Sequence, residues 1–172
     1  MKRKRFIVSV DPGVVTLGVA VWNAADAFKS KTPRPCSAHA YTLSREFKGS
    51  PYHKALRMGE YVRKEIAGFT IDQLICEVME FRSNARGVAA IDDVLNVSFA
   101  CGVMAQVAVE HGAAFQPAPV SQWKGQLSKE QVARRILKKW GGQLPEFLSD
   151  PSKPSHDWDA VGIGLWSMGF FE

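Results

Sequence analysis

Hydrophobic residues along the chain fall into two kinds of segment, which predict different elements. Short runs rich in β-branched residues predict strands at 6–10, 17–22, 38–43, 70–78 and 114–117. Longer segments with an approximately helical period predict helices at 52–67, 89–111 and 128–140, and a last helix from about 154 to 171. Residues 25–37, which contain Lys, Pro and Ser, are predicted to form an exposed hairpin loop.

The order of these elements predicts an α/β protein. Three consecutive strands indicate an antiparallel meander, and the later strands, separated by helices, indicate a parallel part of the same sheet. A length of 172 residues suits one domain, spanning 1–172, with a core that needs no disulfide support. The wide apolar surface of the 89–111 helix indicates cover on more than one side, either by a second subunit or by a central position in one core.

Charge and cysteine usage narrow the class of protein. Lys and Arg number 22 against 17 Asp and Glu, and the resulting charge of +5 favours a polyanionic partner. Cys36, Cys76 and Cys101 are far apart and lack the spacing of a zinc site, so we expect reduced thiols. No apolar run approaches the roughly 20 residues that span a bilayer. The basic N-terminus precedes an apolar stretch too short for a signal peptide, so we expect a cytoplasmic protein with no membrane partner.

Two acidic residues stand where predicted strands end. Asp11 ends the first strand, and Pro12 and Gly13 after it favour a turn, so its carboxylate is expected beyond the edge of the sheet. Glu77 directly follows a buried apolar run, where an unpaired charge is costly, and Glu80 is its competitor. An Asx turn or a strand end that reaches water would explain either residue alone, so neither identifies a site by itself.

The last predicted helix begins with three candidate residues. His156 and Asp159 are three residues apart and share a face, whereas Asp157 points roughly 100° away from His156. An acid in a first helical turn also complements the helix dipole, which is a sufficient reason for Asp157.

As a set, the acids indicate phosphodiester chemistry. Clustered carboxylates repel one another unless a cation lies between them, and their hard oxygen donors suit Mg²⁺ or Mn²⁺. Two such ions about 3.5–4 Å apart can assist hydrolysis of a phosphodiester. Lys124, just past a strand, and Lys129, at the start of a helix, could hold the phosphate. The basic face of that helix, which includes Arg134, could contact a DNA backbone.

These motifs together resemble the RuvC-type Holliday junction resolvases of bacteria and phages. The resemblance covers nearly the whole chain and rests on IVSVDPG at 7–13 with TLG at 16–18, LICE at 74–77, VSQWK at 120–124 with SKEQV at 128–132, and HDWDA at 156–160. It implies an RNase H-like fold, with a mixed five-stranded sheet of three antiparallel and then parallel strands flanked by helices. It also implies a cytoplasmic enzyme of a bacterial cell or a phage-infected host.

The resemblance further implies the residues of the site. It places two Mg²⁺ or Mn²⁺ ions on Asp11, Glu77, His156 and Asp159, which selects His156 over Asp157, and it makes Lys124 and Lys129 catalytic and DNA-binding. It implies a homodimer, joined through the helix at 89–111, that cuts two opposed strands of a four-way junction by symmetric hydrolysis. Met79 and Phe81 compete for the role of the apolar residue that helps open the junction, and we take Phe81 as the DNA-binding candidate.

Three alternatives remain open from the sequence. A nuclease of the same fold could act on other branched or linear DNA, and a protein with relict acids could bind junctions without cutting them. The pattern Asp11-x-Gly13 with Thr16-x-Gly18 also resembles the phosphate loop of actin-like kinases and ATPases. Those enzymes need a duplicated fold to enclose a nucleotide, for which this chain is too short.

Overall fold

A mixed five-stranded sheet in the order β3-β2-β1-β4-β5 organises the structure. The computed structural model describes residues 4–13, 15–79 and 88–171, with the backbone alone for 88–93. The strands are β1 (Arg5–Pro12), β2 (Thr16–Asn23), β3 (Ser37–Thr42), β4 (Thr70–Val78) and β5 (Ala114–Pro119). The helices are α1 (Ala24–Lys29), α2 (Pro51–Glu65), α3 (Val88–Glu110), α4 (Val120–Trp123), α5 (Lys129–Lys139) and α6 (His156–Ser167). No helix in the described ranges is long and apolar enough to cross a membrane.

Strand pairing confirms the predicted mixed sheet. β1 pairs antiparallel with β2, and β2 pairs antiparallel with β3, which forms the meander. β4 pairs parallel with β1, and β5 pairs parallel with β4. The register sets Val10 beside Cys76, so the next residues, Asp11 and Glu77, arrive at the same end of the sheet from neighbouring parallel strands.

The alternation of side chains along the strands divides the core into two layers. Ile7 on β1 and Ile75 on β4 pack in the layer that contains α5 and α6. Val8 and Val10, in the alternate positions, pack with α2 and α3 on the other face. Asp11 has the same parity as Ile7, and therefore lies on the α6 face. This parity decides which helices can reach the carboxylates.

Three elements differ from the sequence prediction. One is the short helix α4 (Val120–Trp123), which lies between the strand predicted at 114–117 and the helix predicted at 128–140 and was not predicted. The segment predicted as a hairpin loop at 25–37 begins instead with α1, which Asn23 caps by accepting hydrogen bonds from the backbone N–H groups of Ala25 and Asp26. The local hydrogen bonds of this cap stabilise a helix that the Lys, Pro and Ser content obscured. The last helix ends at Ser167 rather than near 171, because Gly169 adopts a φ of 78°, in the left-handed region that ends helices.

Candidate active site

Six side chains from five parts of the fold meet at the end of β1 and β4. The carboxylates are largely buried: Asp11 is 4% exposed, Glu77 8% and Asp159 0%. β1 and β4 supply the first two, and α6 supplies Asp159 and His156. The residue after α4, Lys124, and the first residue of α5, Lys129, complete the cluster. The structure therefore brings together all six residues that the sequence predicted as catalytic.

Glycines in the β1–β2 hairpin allow α6 to approach this closely. A Cβ atom on Gly18 would lie 2.0 Å from the backbone oxygen of His156, which no side chain can tolerate. A Cβ on Gly13 would lie 2.6 Å from the His156 ring and 2.3 Å from the backbone oxygen of Thr16. The DPG and TLG motifs thus serve the same end, since both admit the first turn of α6 to the edge of the sheet.

The charged groups form a chain of alternating sign. His156 Nδ1 lies 2.6 Å from Asp11 Oδ2, and Lys129 Nζ lies 3.6 Å from the same oxygen. Lys129 Nζ is also 3.3 Å from Asp159 Oδ2, and Lys124 Nζ is 3.1 Å from it. Lys124 Nζ then lies 3.6 Å from Glu77 Oε2. Each buried carboxylate therefore has at least one cationic neighbour, as buried charge requires.

Burial and mutual repulsion act on two of the carboxylates in the same direction. Burial, reinforced by the negative charge of Asp11, raises the pKa of Glu77 to about 8, although Lys124 opposes the shift. Burial and Asp11 likewise raise the pKa of Asp159, against the attraction of Lys124 and Lys129. Both groups thus favour the protonated form more than an exposed carboxyl does, and an added cation in the cluster would favour their ionisation.

Asp11 behaves differently from the other two carboxylates. Burial alone would raise its pKa, but the hydrogen bond and charge of His156, with the charges of Lys129 and Lys124, outweigh burial and lower the pKa. For Lys124, burial opposes the charged form, yet the three surrounding carboxylates raise its pKa. Asp11 is therefore the anion around which the rest of the cluster is organised.

Comparisons with known proteins connect this geometry to a known fold. No protein-family model matches the chain, and no curated protein sequence matches it. Among solved structures, Thermus thermophilus RuvC in complex with a Holliday junction substrate has a TM-score of 0.66 and 20% identity, over 98% of each chain. The fold is RNase H-like.

Two further structures share the RNase H-like fold at lower similarity. The yeast mitochondrial Holliday junction resolvase has a TM-score of 0.54 and 11% identity, over 98% of this chain and 78% of its own. The fowlpox virus Holliday junction resolvase has a TM-score of 0.53 and 13% identity, over 95% of this chain and 98% of its own. At these identities the likeness establishes the fold alone.

The donor set at this end of the RNase H-like sheet fits a divalent ion in its chemistry. Three carboxylates and an imidazole are ligands suited to Mg²⁺ or Mn²⁺, and Asp159 Oδ1 is a buried oxygen without a hydrogen-bond partner. In the part of the chain that the structure describes, however, no three such side chains already converge on one point. Lys124 and Lys129 lie between the carboxylates, so an ion would have to compete with their ammonium groups.

Asp157, the alternative to His156, faces away from this cluster. Its carboxylate accepts hydrogen bonds from the backbone N–H of Ser149 at 2.6 Å, from the Ser149 hydroxyl at 2.8 Å, and from the N–H of Trp158. The residue is 2% exposed. It joins the start of α6 to the preceding loop, whereas His156 contacts Asp11, so the two neighbours have separate surroundings, as the helical spacing predicted.

The remaining predicted residues are not among the charged contacts of the cluster, or lie outside the described residues. Arg134 is exposed on α5, five residues beyond Lys129. Met79 is 40% exposed just past the end of β4. Phe81, predicted to bind DNA, and Glu80, the competitor of Glu77, lie outside the described residues.

One member of the cluster was not predicted from the sequence. The indole N–H of Trp123 donates a hydrogen bond to Glu77 Oε2 at 2.9 Å. In the sequence, Trp123 appears in the VSQWK motif only as the residue before Lys124. The hydrophobic pattern around it gave no reason to expect a role beyond packing in the core. Its bond depends on the pairing of β5 with β4, which brings residues 46 positions apart into contact.

Proposed function

We propose that the protein is a metal-dependent endonuclease that resolves four-way DNA junctions by symmetric cleavage. The observation that carries the proposal is the buried chain of three carboxylates, one imidazole and two lysines at one end of an RNase H-like sheet. A stable fold has no need to bury three acids so close together, and such perturbed groups are typical of functional sites. The full-length likeness to a RuvC bound to a Holliday junction supports the choice of substrate.

The proposed cofactors are two Mg²⁺ or Mn²⁺ ions per active site. Asp11, Glu77, His156 and Asp159 would hold them, and ions at such a site supply the charge that stabilises the attacking and leaving oxygens of a phosphodiester. The unpartnered Asp159 Oδ1 supports this assignment. The raised pKa of Glu77 supports it too, since a cation would offset the burial and the repulsion by Asp11 that raise this pKa.

Lys124 and Lys129 are proposed to meet the scissile phosphate. Their side chains are 16% and 31% exposed, so both ammonium groups border solvent while they contact the carboxylates. An ammonium group here would neutralise charge that develops on the phosphate oxygens during hydrolysis. Arg134, on the exposed face of α5, is proposed to contact the DNA backbone beyond the cut, and Phe81 or Met79 to help open the junction.

A homodimer is proposed from the outer face of α3. This helix buries Val97 and Met104 in its own core but leaves Leu95 48% and Val109 70% exposed. A groove of about 360 Å³ between α2 and α3 is lined by apolar or small residues and one amide, namely Tyr52, Ala55, Leu56, Ser98, Phe99, Gly102, Val103 and Gln106.

Gly102 in this groove supports a second copy as its occupant. A Cβ atom there would meet nothing within 4 Å, although glycine inside a helix costs about 1 kcal/mol relative to alanine. A close approach by another copy would explain the glycine, and two copies would supply the two sites that symmetric cleavage requires. Light scattering should return a dimer mass, and a monomer mass at working concentration would contradict this assembly.

The proposal is tested by a cleavage panel of a four-way junction, a flap, a Y-structure and a linear duplex, each with Mg²⁺ and with Mn²⁺. We expect paired nicks at symmetry-related positions of the junction, and no cleavage when the divalent ion is chelated. Preference for the flap or the duplex would retain the nuclease and reject the resolvase. Tight junction binding without cleavage under either ion would indicate a non-catalytic binding protein.

A further inference from the structure

The indole of Trp123 differs from the other buried indoles in what it contacts. Trp22, Trp140 and Trp158 donate their N–H groups to neutral oxygens, namely Ser9 Oγ, the backbone oxygen of Pro33 and the backbone oxygen of Ser149. Trp123 instead donates to the carboxylate of Glu77, at 2.9 Å, and is only 3% exposed. Hydrogen bonds to a charged acceptor are about twice as strong as those to a neutral one, so this bond constrains the acid most when Glu77 is ionised.

The ring of Trp123 is held in a slot that α6 leaves open. A Cβ atom on Gly162 would lie 2.7 Å from Cζ3 of the indole, and 3.5 Å from Cε3. Glycine at this helical position costs stability, and close packing against the indole is what it permits here. With one edge of the ring in the slot, contact with α6 restricts the direction of the N–H bond, in addition to the short helix α4 that carries Trp123.

The same ring lies under Lys124. The ammonium group is 4.8 Å from the ring centroid, a distance at which the aromatic face attracts a cation. From there Lys124 Nζ is 3.6 Å from Glu77 Oε2, the same oxygen that accepts the indole N–H. Both contacts therefore converge on Oε2, and neither uses Oε1.

We propose that Trp123 is a positioning residue that fixes the Glu77 carboxylate, in the orientation set by the Gly162 slot, and so presents Oε1 to a divalent ion. The role in catalysis rests on the proposed nuclease function, whereas the hydrogen bond by which Trp123 orients Glu77 does not depend on that function. Partners of this kind that orient a metal-binding side chain affect ion affinity or activity by about 10- to 100-fold when removed.

The first experiment measures the hold on Glu77 without any reaction. In a ¹⁵N NMR spectrum of the full chain, Trp123→Phe assigns the Trp123 indole resonance and Trp140→Phe assigns a reference. At about pH 9, above the pKa of about 8 at which Glu77 ionises, Glu77→Gln should move the Trp123 resonance upfield by more than any other indole resonance, because a charged acceptor becomes neutral. An unmoved Trp123 resonance overturns the proposal, whatever the protein cleaves.

The second experiment measures how the hydrogen bond from Trp123 to Glu77 affects Mn²⁺ affinity and cleavage. Trp123→Phe keeps an aromatic ring but removes the N–H, and should weaken Mn²⁺ binding, measured by titration calorimetry, about tenfold or more. The kcat for junction cleavage should fall by a similar factor with KM for DNA within twofold. Trp140→Phe also loses an indole hydrogen bond, but one to the backbone oxygen of Pro33 rather than to an acid, and should leave Mn²⁺ affinity, kcat and KM unchanged.

Comparing the two variants separates a positioning role from a structural one. If Trp123→Phe binds Mn²⁺ as the parent does and keeps its kcat, the proposal is wrong. If both variants lose activity in step with their thermal midpoints, the role of Trp123 is structural and the proposal also fails. If the parent itself neither binds Mn²⁺ nor cleaves DNA, the proposed nuclease function is wrong. The NMR experiment still shows whether Trp123 donates its hydrogen bond to Glu77.

The slot gives an independent variant that leaves Trp123 itself intact. Gly162→Ala should displace the indole edge, and so reduce Mn²⁺ affinity and kcat in the same direction as Trp123→Phe. In the Trp123→Phe background the added methyl group meets a shorter ring. There, Gly162→Ala should reduce Mn²⁺ affinity and kcat by less than a further twofold. If the double variant instead shows the product of the two single losses in Mn²⁺ affinity and kcat, the two residues act independently and the role of the slot is wrong.

Discussion

The two faces of the sheet differ in where the molecule buries its polar groups. Within the described residues, the buried polar and charged side chains are Ser9, Asp11, Glu77, Asp157 and Asp159, and all belong to the face covered by α6 or to α6 itself. On the opposite face, the alternate residues of the same strands pack against α2 and α3 in an apolar cluster. A single strand such as β1 therefore contributes alternate side chains to an apolar layer on one face and to a cluster of buried charges on the other.

The difference indicates a division between stability and chemistry. The α2–α3 face gains stability from apolar burial, at about 25 cal/mol for each Å² removed from water. The α6 face buries three acids. Desolvation and repulsion by Asp11 raise the pKa values of Glu77 and Asp159, and the charges of Lys124 and Lys129 oppose these shifts. Neighbouring residues in β1 and β4 should thus respond to substitution in different ways.

The largest expected effect belongs to Asp11, the carboxylate with a lowered pKa at the centre of the cluster. Asp11→Asn removes the charge and keeps the shape, and should slow single-turnover junction cleavage more than about a hundredfold, since even an indirect partner of a metal ligand costs 10- to 100-fold. Junction binding in a gel-shift assay should persist and serves as the control. A variant that cuts within fivefold of the parent would show that the carboxylates are not the site.

The second effect is a pH dependence of stability in the metal-free protein. Glu77 has a pKa of about 8 in the fold against an ordinary 4.5, so the folded state binds the proton more tightly than the unfolded state. Its contribution is fully present below pH 4.5 and is lost as pH rises through about 8, at a cost of at most about 5 kcal/mol. The raised pKa of Asp159 acts in the same direction.

Urea unfolding between pH 5 and pH 8 measures this dependence. The free energy of unfolding of the parent should fall as pH rises, and Glu77→Gln should reduce the slope. Saturating Mg²⁺ should restore stability at pH 8, because the ion binds the ionised carboxylates of the folded state. The lowered pKa of Asp11 acts below its ordinary value of 3.8 and lies outside this window. If the free energy of unfolding depends on pH in the same way for the parent and for Glu77→Gln, Glu77 is not the source of the pH dependence.

The sequence predicted the sheet from periodicity, and it predicted the cluster from strand ends, helical spacing and the resemblance to the RuvC-type resolvases. Asp11 and Glu77 were visible as acids directly after buried runs, and His156 and Asp159 as a helical pair, so the parallel register needed only to bring these ends together. Helix α1 was missed because one capping residue, Asn23, decides it, and the following composition resembles a loop.

Contacts between distant segments were beyond the reach of the sequence. The bond from Trp123 to Glu77 and the bonds from Ser149 to Asp157 depend on which strands and loops become neighbours, and no local pattern encodes either. The exposed outer face of α3 resolves one ambiguity of the sequence, since this helix is not enclosed within a single core along the described side chains. Whether a second copy covers it stays a prediction.

On the apolar face, Leu74→Ala provides the counterpart to Asp11→Asn. Leu74 is fully buried in the α2–α3 layer, three residues before Glu77 on the same strand. Its truncation should cost 2–5 kcal/mol of unfolding free energy, which lowers the thermal midpoint by about 5–15 °C. Cleavage per folded molecule, measured well below that midpoint, should stay within about twofold. A large loss of kcat in the folded variant would mean that the two faces are coupled.

The smallest effect separates two adjacent residues within the α6 face. Asp157→Ala leaves the N–H and hydroxyl groups of Ser149 without their acceptor, and should cost about 1–3 kcal/mol in urea unfolding. Mn²⁺ affinity should remain that of the parent, because the Asp157 carboxylate is bonded to Ser149 and faces away from Asp11. His156→Ala should show the reverse, with weakened Mn²⁺ binding and a smaller change in stability. If Asp157→Ala is the variant that loses the ion, then Asp157 is the ligand, and the choice of His156 from helical spacing and the family resemblance is wrong.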